Sequence, residues 1–144
     1  MSGRYYESGF LLHDIKMVTG STAEYREETN NIIIYTPKNA LTFLLDFLFT
    51  KWGFSYLLLM TCTKINESFT LTYVLSSRKI LIPVIVRTTL SADTPVYTTI
   101  GMIYKNAFQY EEMIYNDTSI VFEGNPSTVS YYVKNLEAQG EEHE

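Results

Sequence analysis

The sequence has little of what metal and redox sites are built from. It contains one cysteine, Cys62, and two histidines, His13 and His143, among 144 residues. A single thiol cannot form an internal disulfide, a thiolate zinc site or an iron–sulfur cluster. The two histidines lie near opposite ends of the chain, so neither belongs to a metal-ligand spacing. We therefore expect this chain to bind no metal and no cofactor.

Basic runs, glycine-rich loops and catalytic constellations are missing as well. The net charge is −5 and no stripe of Lys or Arg is present, so we expect no nucleic-acid partner. Gly53, Gly101 and Gly124 are isolated, which excludes a phosphate-binding loop. Glu111 and Glu112 are adjacent in a predicted helix, where neighbouring side chains point about 100° apart and make a poor acid–base pair. No catalytic residue is predicted.

Residues 40–60 are apolar enough to raise the possibility of a membrane span. Asp46 and Lys51 lie inside this segment, and each charge at mid-membrane costs about 2.5–3.5 kcal/mol on insertion scales. Gly53 also interrupts the helical pattern. We expect a core helix followed by a strand, in a soluble chain with neither a secretory signal nor an organelle presequence.

Aromatic residues are abundant. Twelve Tyr and eight Phe accompany an apolar content of 46%, in a chain whose length predicts one domain. Such side chains pack in cores, and they are also common at partner interfaces. Composition leaves both locations open.

The first half of the chain predicts a strand and then a helix. The β-branched run at residues 32–35 favours a strand. Thr36 and Pro37 are typical of a helix start, with Thr36 as the cap, and an apolar stripe at helical spacing follows until Gly53. Residues 1–30 are polar and are interpreted as an N-terminal extension, with one strand or short helix around residues 10–18.

Three further strands are predicted, at residues 54–63, 69–75 and 80–87. The second alternates in the manner of a half-buried strand, with Phe69, Leu71, Tyr73 and Leu75 on one face. Pro83 places the third at an edge or a bulge, and residues 88–94 are interpreted as a polar linker. The expected fold class is α+β, with a small, mostly antiparallel sheet and helices packed on one face.

Residues 106–126, NAFQYEEMIYNDTSIVFEGNP, are the most informative stretch. They predict a short amphipathic helix, then an extended segment and a tight turn around Gly124 and Pro126. Glu111 and Tyr115 are four residues apart and share one face of the helix.

This stretch resembles the signature of the 30 kDa subunit family of respiratory complex I, which typically contains GANWxEREVYDMFGIxFEGHPDL. The matching positions are Ala107, Glu111, Tyr115, Ile120, Phe122, Glu123, Gly124 and Pro126. The departures are Glu112 for Arg, Met113 for Glu, Asn116 for Asp, Ser119 for Gly and Asn125 for His. The resemblance divides the chain into residues 1–30 as extension, 31–126 as the family's α+β domain and 127–144 as a divergent acidic tail.

The resemblance implies a non-catalytic structural subunit of the hydrophilic arm of proton-pumping NADH:ubiquinone oxidoreductase. Such a subunit packs against the 49 kDa-type subunit and neighbouring iron–sulfur subunits near the quinone-reducing region. The FMN and iron–sulfur clusters belong to other subunits, and the chain meets the membrane only through the complex. The implied partner interface comprises Phe108, Glu111, Tyr115, Phe122, Glu123, Gly124 and Pro126.

The abundance of Ile, Tyr and Asn, with little Ala, Arg or Gly, suggests an AT-rich coding genome. It favours a mitochondrially encoded subunit on the matrix side of the inner membrane. The alternative is a bacterial or plastid membrane, on its cytoplasmic or stromal side. A competing function is a stand-alone soluble protein- or ligand-binding module with an aromatic-rich surface. An independent hydrolase or transferase finds no support among the residues.

Overall fold

A five-stranded sheet with helices on one face forms the body of the protein. The structure, a computed structural model, describes residues 2–93 and 95–128. Its α-helices are α1 (Ser2–Thr19), α2 (Leu41–Thr50) and α3 (Ala107–Thr118), with short 3₁₀ helices at Lys38–Ala40 and Pro126–Thr128. The strands are β1 (Thr22–Arg26), β2 (Asn31–Tyr35), β3 (Tyr56–Ile65), β4 (Ser68–Ser76), β5 (Val84–Ser91), β6 (Val96–Thr98) and β7 (Val121–Glu123).

The large sheet has the strand order β1-β2-β5-β4-β3, and β6 pairs separately with β7. Neighbours in the large sheet are antiparallel except for β2 and β5, which run parallel with Ile32 opposite Val84 and Ile34 opposite Val86. The α+β class and the mostly antiparallel sheet are therefore confirmed.

Alternation along β4 builds the core, as the sequence predicted. Phe69, Leu71, Tyr73 and Leu75 are buried, and the residues between them are half-buried. Their register partners on β5, Val84, Val86 and Leu90, are buried on the same face. Helix α2 covers this face with Leu41, Leu44, Leu45 and Leu48, all fully buried.

A bulge in β3 decides which of its leucines face the core. The register shifts between Leu57 and Leu59, so the inward residues are Leu57 and Met60, three positions apart. Leu58 and Leu59 are exposed by 55% and 45% as a result. Bulges of this kind re-aim side chains at sheet edges, and β3 is an edge strand.

Two local predictions about β5 were wrong. The strand runs over Val84–Ser91 rather than residues 80–87, so the first four residues of the predicted linker belong to it. It also lies at the centre of the sheet and not at an edge. Pro83 is tolerated because it immediately precedes the strand, where no ladder N–H is lost, and its carbonyl accepts a hydrogen bond from Ile32 N at 3.0 Å.

The predicted cap of the helix after β2 was also wrong. Thr36 does not cap a helix; its hydroxyl accepts a hydrogen bond from Ser21 Oγ at 3.1 Å. Pro37 precedes a 3₁₀ turn, and α2 begins only at Leu41. The predicted stop is confirmed, because α2 ends at Thr50 and Gly53 takes a left-handed φ of +71°.

Residues assigned to an extension contribute to the core. Leu11 and Ile15 of α1 and Ala23 of β1 are buried in the same cluster as the sheet residues. Asp14 links α1 to the end of α2, accepting hydrogen bonds from Lys51 Nζ at 2.7 Å and Trp52 Nε1 at 2.9 Å. The hydrogen bond from Lys51 is the main cause of a lowered pKa of Asp14. The division of the chain at residues 30 and 126 stays a prediction.

Candidate partner-binding site

Residues 96–126 form a small β-α-β unit beside the large sheet. Strands β6 and β7 are parallel, with Tyr97 opposite Phe122, and α3 connects them. Thr99 N donates to Glu123 O at 2.9 Å and Val121 N donates to Pro95 O at 2.9 Å, which extends the pairing beyond both ends. The predicted helix, extended segment and turn are all confirmed here.

Glu111 is the polar centre of this unit, and it is fully buried. Oε1 accepts hydrogen bonds from the Thr99 hydroxyl and from Asn125 Nδ2, while Oε2 accepts one from Ile100 N at 3.0 Å. Burial raises the pKa of Glu111 above its ordinary 4.5, and the three hydrogen bonds oppose that rise. The carboxylate therefore joins α3 to the segment after β6 and to the turn after β7.

Asn125 and Thr128 close the turn that follows β7. The Asn125 amide donates to Phe108 O at 3.1 Å as well as to Glu111. The Thr128 hydroxyl accepts from Phe122 N at 2.9 Å and lies 2.9 Å from Phe122 O, so it satisfies the outward backbone groups of β7. Composition and spacing did not reveal these partners, because the residues that meet are 6 to 17 positions apart.

Two glycines let the unit pack closely. Gly124 has a φ of +95°, and a Cβ there would lie 2.8 Å from Thr99 Cγ2. At Gly101 the ring of Phe108 occupies the place of a side chain, since a Cβ would lie 2.3 Å from Phe108 Cζ. Phe108 is therefore held within the chain on one side and is only half-buried.

The seven residues of the implied interface lie in this one unit, but they are not equally accessible. Glu111 and Phe122 are completely buried, so neither contacts a partner directly in this conformation. Phe108 and Tyr115 are half-buried, whereas Glu123, Gly124 and Pro126 are exposed on the turn. The buried pair shapes that turn. Contact of the accessible residues with a partner stays a prediction.

Side chains around α3 also bind the edge strand β3, a role that the sequence did not indicate. Asn106 Nδ2 donates to Leu57 O at 2.8 Å and the Tyr110 hydroxyl donates to Leu58 O at 3.0 Å, so both bonds lie at the bulge. The Tyr104 hydroxyl donates to Phe54 O at 2.6 Å, and its burial raises the pKa of Tyr104. Tyr104 and Tyr110 thus connect α3 and the segment before it to β3 and the loop before β3.

Tyr97 connects the unit to the 3₁₀ turn before α2. Its hydroxyl lies 3.1 Å from Lys38 O and 3.2 Å from Thr88 Oγ1, and burial raises the pKa of Tyr97 to about 12. A cleft of about 510 Å³ opens beside it, lined by Lys38, Asn39, Thr42, Tyr97 and Thr98.

Nowhere in residues 2–93 and 95–128 do three or more His, Cys, Asp or Glu side chains gather as a possible metal site. Over the same ranges, no helix combines the length and the apolar character needed to cross a membrane.

Comparison with protein families identifies the family of the chain. The family model described as "Respiratory-chain NADH dehydrogenase, 30 Kd subunit" matches residues 34–135, most of the chain. The chain is a member of this family. The match includes all of residues 106–126, so the resemblance seen in the sequence is confirmed.

Solved structures show the same fold. The chain resembles the trypsin-resistant fragment (1–134) of Nqo5 with a TM-score of 0.69 and 20% identity, covering 85% of this chain and 98% of the fragment. It also resembles a chain of the membrane-bound sulfane sulfur reductase, an archaeal respiratory membrane complex, with a TM-score of 0.70 and 18% identity. That match covers 83% of this chain and 72% of the other. No curated protein matches this chain in sequence.

Proposed function

We propose that this family member is a structural subunit of the hydrophilic arm of proton-pumping NADH:ubiquinone oxidoreductase. The observation that carries the proposal is the family match over residues 34–135. In this role the chain packs against the 49 kDa-type subunit near the quinone-reducing region and supports electron transfer from NADH to ubiquinone. FMN and the iron–sulfur clusters are held by other subunits of the complex.

The geometry supports contact through the turn that follows β7. Glu123, Gly124 and Pro126 project from it, and Glu111 and Asn125 hold it rigidly from within by hydrogen bonds. A preorganised turn loses little conformational entropy when a partner binds. We propose this turn, with Phe108 and Tyr115 beside it, as the contact with the 49 kDa-type subunit.

The proposed location is the mitochondrial inner membrane, on the matrix side, reached only through the complex. The composition rich in Ile, Tyr and Asn supports this location. A bacterial or plastid membrane is the alternative, and the sulfane sulfur reductase shows that the fold also occurs in an archaeal respiratory complex.

The test is native gel electrophoresis of the tagged chain from its source cells, with mass spectrometry of the band that contains it. Co-migration with a very large complex that includes a cluster-bearing 49 kDa-type subunit is expected. Recovery of the chain solely as a free monomer would overturn the proposal.

Charge reversal on the turn tests the contact itself. Glu123→Lys should reduce incorporation into the complex, because it replaces an exposed carboxylate of the proposed contact with a longer cationic side chain. Glu67→Lys, at the exposed turn between β3 and β4, makes the same change outside the β-α-β unit and serves as the matched control. Equal incorporation of both variants would remove the turn from the interface.

A further inference from the structure

The large sheet has a second face, which none of the described helices covers. Helices α1, α2 and α3 all contribute to the core cluster on the face that carries Leu71 and Tyr73. On the opposite face, the register aligns Leu59, Val74, Ile85 and Ile33 in one row across four strands. Ile33 is buried but lies outside the core cluster, which agrees with its position on this other side.

A second row on this helix-free face contains a cation. Thr61, Thr72, Arg87 and Tyr35 are register neighbours across the same four strands, one step along from the apolar row. Arg87 is half-buried, and within residues 2–93 and 95–128 its guanidinium makes no ion pair or hydrogen bond. A guanidinium that no carboxylate of the described residues binds is available to donate a bidentate pair of hydrogen bonds to a carboxylate of a partner.

We propose that the helix-free face docks a neighbouring subunit that presents a carboxylate to Arg87 and apolar side chains to the accessible members of the apolar row, Leu59, Val74 and Ile85. This inference rests on the proposed membership of a larger complex. Arg and Tyr are the residue types that dominate binding energy at interface centres, and Arg87 and Tyr35 stand side by side here.

Charge and size support a subunit rather than other occupants. Two copies of the chain joined by this face about an axis near its centre would bring one Arg87 towards the other, which like-charge repulsion opposes. A nucleic acid is opposed by the net charge of −5. Five strands about 4.8 Å apart, each about 20 Å long, give a face of about 500 Å². This is more than half of the roughly 800 Å² that each partner contributes to a standard interface.

Charge reversal tests the proposal. Arg87→Glu and Leu59→Lys should each lower incorporation into the complex about tenfold at equal chain levels. Arg78→Glu, an exposed residue of the β4–β5 loop, is the matched control and should assemble normally. Thermal melts of the free variants separate lost docking from lost folding, and Leu59→Lys changes a side chain already 45% exposed. Arg87→Glu and Leu59→Lys chains that fold and incorporate like wild type would overturn the docking face.

Cysteine labelling identifies what covers the face. Thr89→Cys in a Cys62→Ala background places a thiol at an exposed position of β5 on this side. Maleimide should label it in the free chain and fail to label it in the complex. Protection already present in the free chain, whether by its own tail or, at high concentration, by a second copy, would overturn the proposal. A wild-type chain that enters no complex would instead overturn the proposed function, and this inference with it.

Discussion

Glu111 occupies a position where a carboxylate accepts three hydrogen bonds and is excluded from water. Among the described residues no cation pairs with it, so neutral donors alone compensate for its desolvation. Such a group is costly to bury and more costly to leave partly satisfied. Glu111 matches the family signature because its carboxylate joins α3, the segment after β6 and the turn after β7, and not because it performs acid–base chemistry.

Glu111→Gln should lower the free energy of unfolding by about 1–3 kcal/mol, because the new amide NH₂ faces at least one backbone or side-chain donor. Glu112→Gln makes the same chemical change on the adjacent, exposed residue and should stay within about 0.5 kcal/mol of wild type. Urea denaturation at neutral pH measures both. Equal stability of the two variants would show that the three hydrogen bonds contribute nothing.

The same pair of variants reports the pH dependence of this carboxyl. Burial raises the folded-state pKa of Glu111 above the ordinary 4.5, so the folded state binds more protons than the unfolded state just above that pH. The contribution of Glu111 to stability is therefore fully present below pH 4.5 and falls as pH rises through the folded pKa. The disadvantage of Glu111→Gln relative to Glu112→Gln should be largest near pH 4.5 and smaller at neutral pH. A disadvantage that grows with pH would contradict this sign.

At the scale of elements, α3 ends in an unusual way. The residue that caps its C-terminus, Ser119, takes a left-handed conformation with a φ of +66°, and its N–H donates to Tyr115 O at 2.8 Å. The family signature has glycine at this position, and glycine adopts that conformation without steric cost. The departure at Ser119 therefore leaves local backbone strain at the entry to β7.

Ser119→Gly should raise the free energy of unfolding by about 0.5–1 kcal/mol, because it removes the steric penalty of the left-handed residue. Ser55→Gly is the control: this exposed loop residue has no positive φ, so greater freedom of the unfolded chain should make it neutral or slightly destabilising. Thermal melts of the two variants give the comparison. A loss of stability in Ser119→Gly would show that the hydroxyl has a role that outweighs the strain.

At the scale of the whole molecule, α1 and β1 decide how far the folding unit extends. Ile15 and Leu11 are fully buried against the sheet, and β1 pairs with β2 over five residues on each strand. The polar composition of residues 1–30 gives no sign of this packing in the sequence, because only a few apolar residues of the segment contact the core. Core burial of this kind predicts that α1 unfolds together with the sheet.

Ile15→Ala should lower the free energy of unfolding by about 2–5 kcal/mol, the range for a large-to-small change in a packed core. Lys16→Ala, the next and exposed residue of α1, should have little effect. Chemical denaturation followed by circular dichroism measures both. A change below about 0.5 kcal/mol for Ile15→Ala would support the division at residue 30, with α1 as a separable extension.

The sequence by itself determined the α+β class, the alternation of β4, the end of α2 near Gly53 and the helix–strand–turn order of residues 106–126. These follow from local physical rules. A hydrophobic period of two or 3.6 residues, or a glycine that can take positive φ, can be recognised within a few positions of the sequence. The family resemblance came from the same local stretch.

Tertiary structure decided the rest. Glu111 and Phe122 look like surface candidates in sequence, and only the packing of α3 against β6 and β7 buries them. The partners Thr99, Ile100 and Asn125 are distant in sequence, and no local pattern brings them to one carboxylate. Likewise, the parallel pairing of β2 with β5 gives Arg87 its place on a helix-free face, because strand neighbours across a sheet are chosen by the fold and not by adjacent residues.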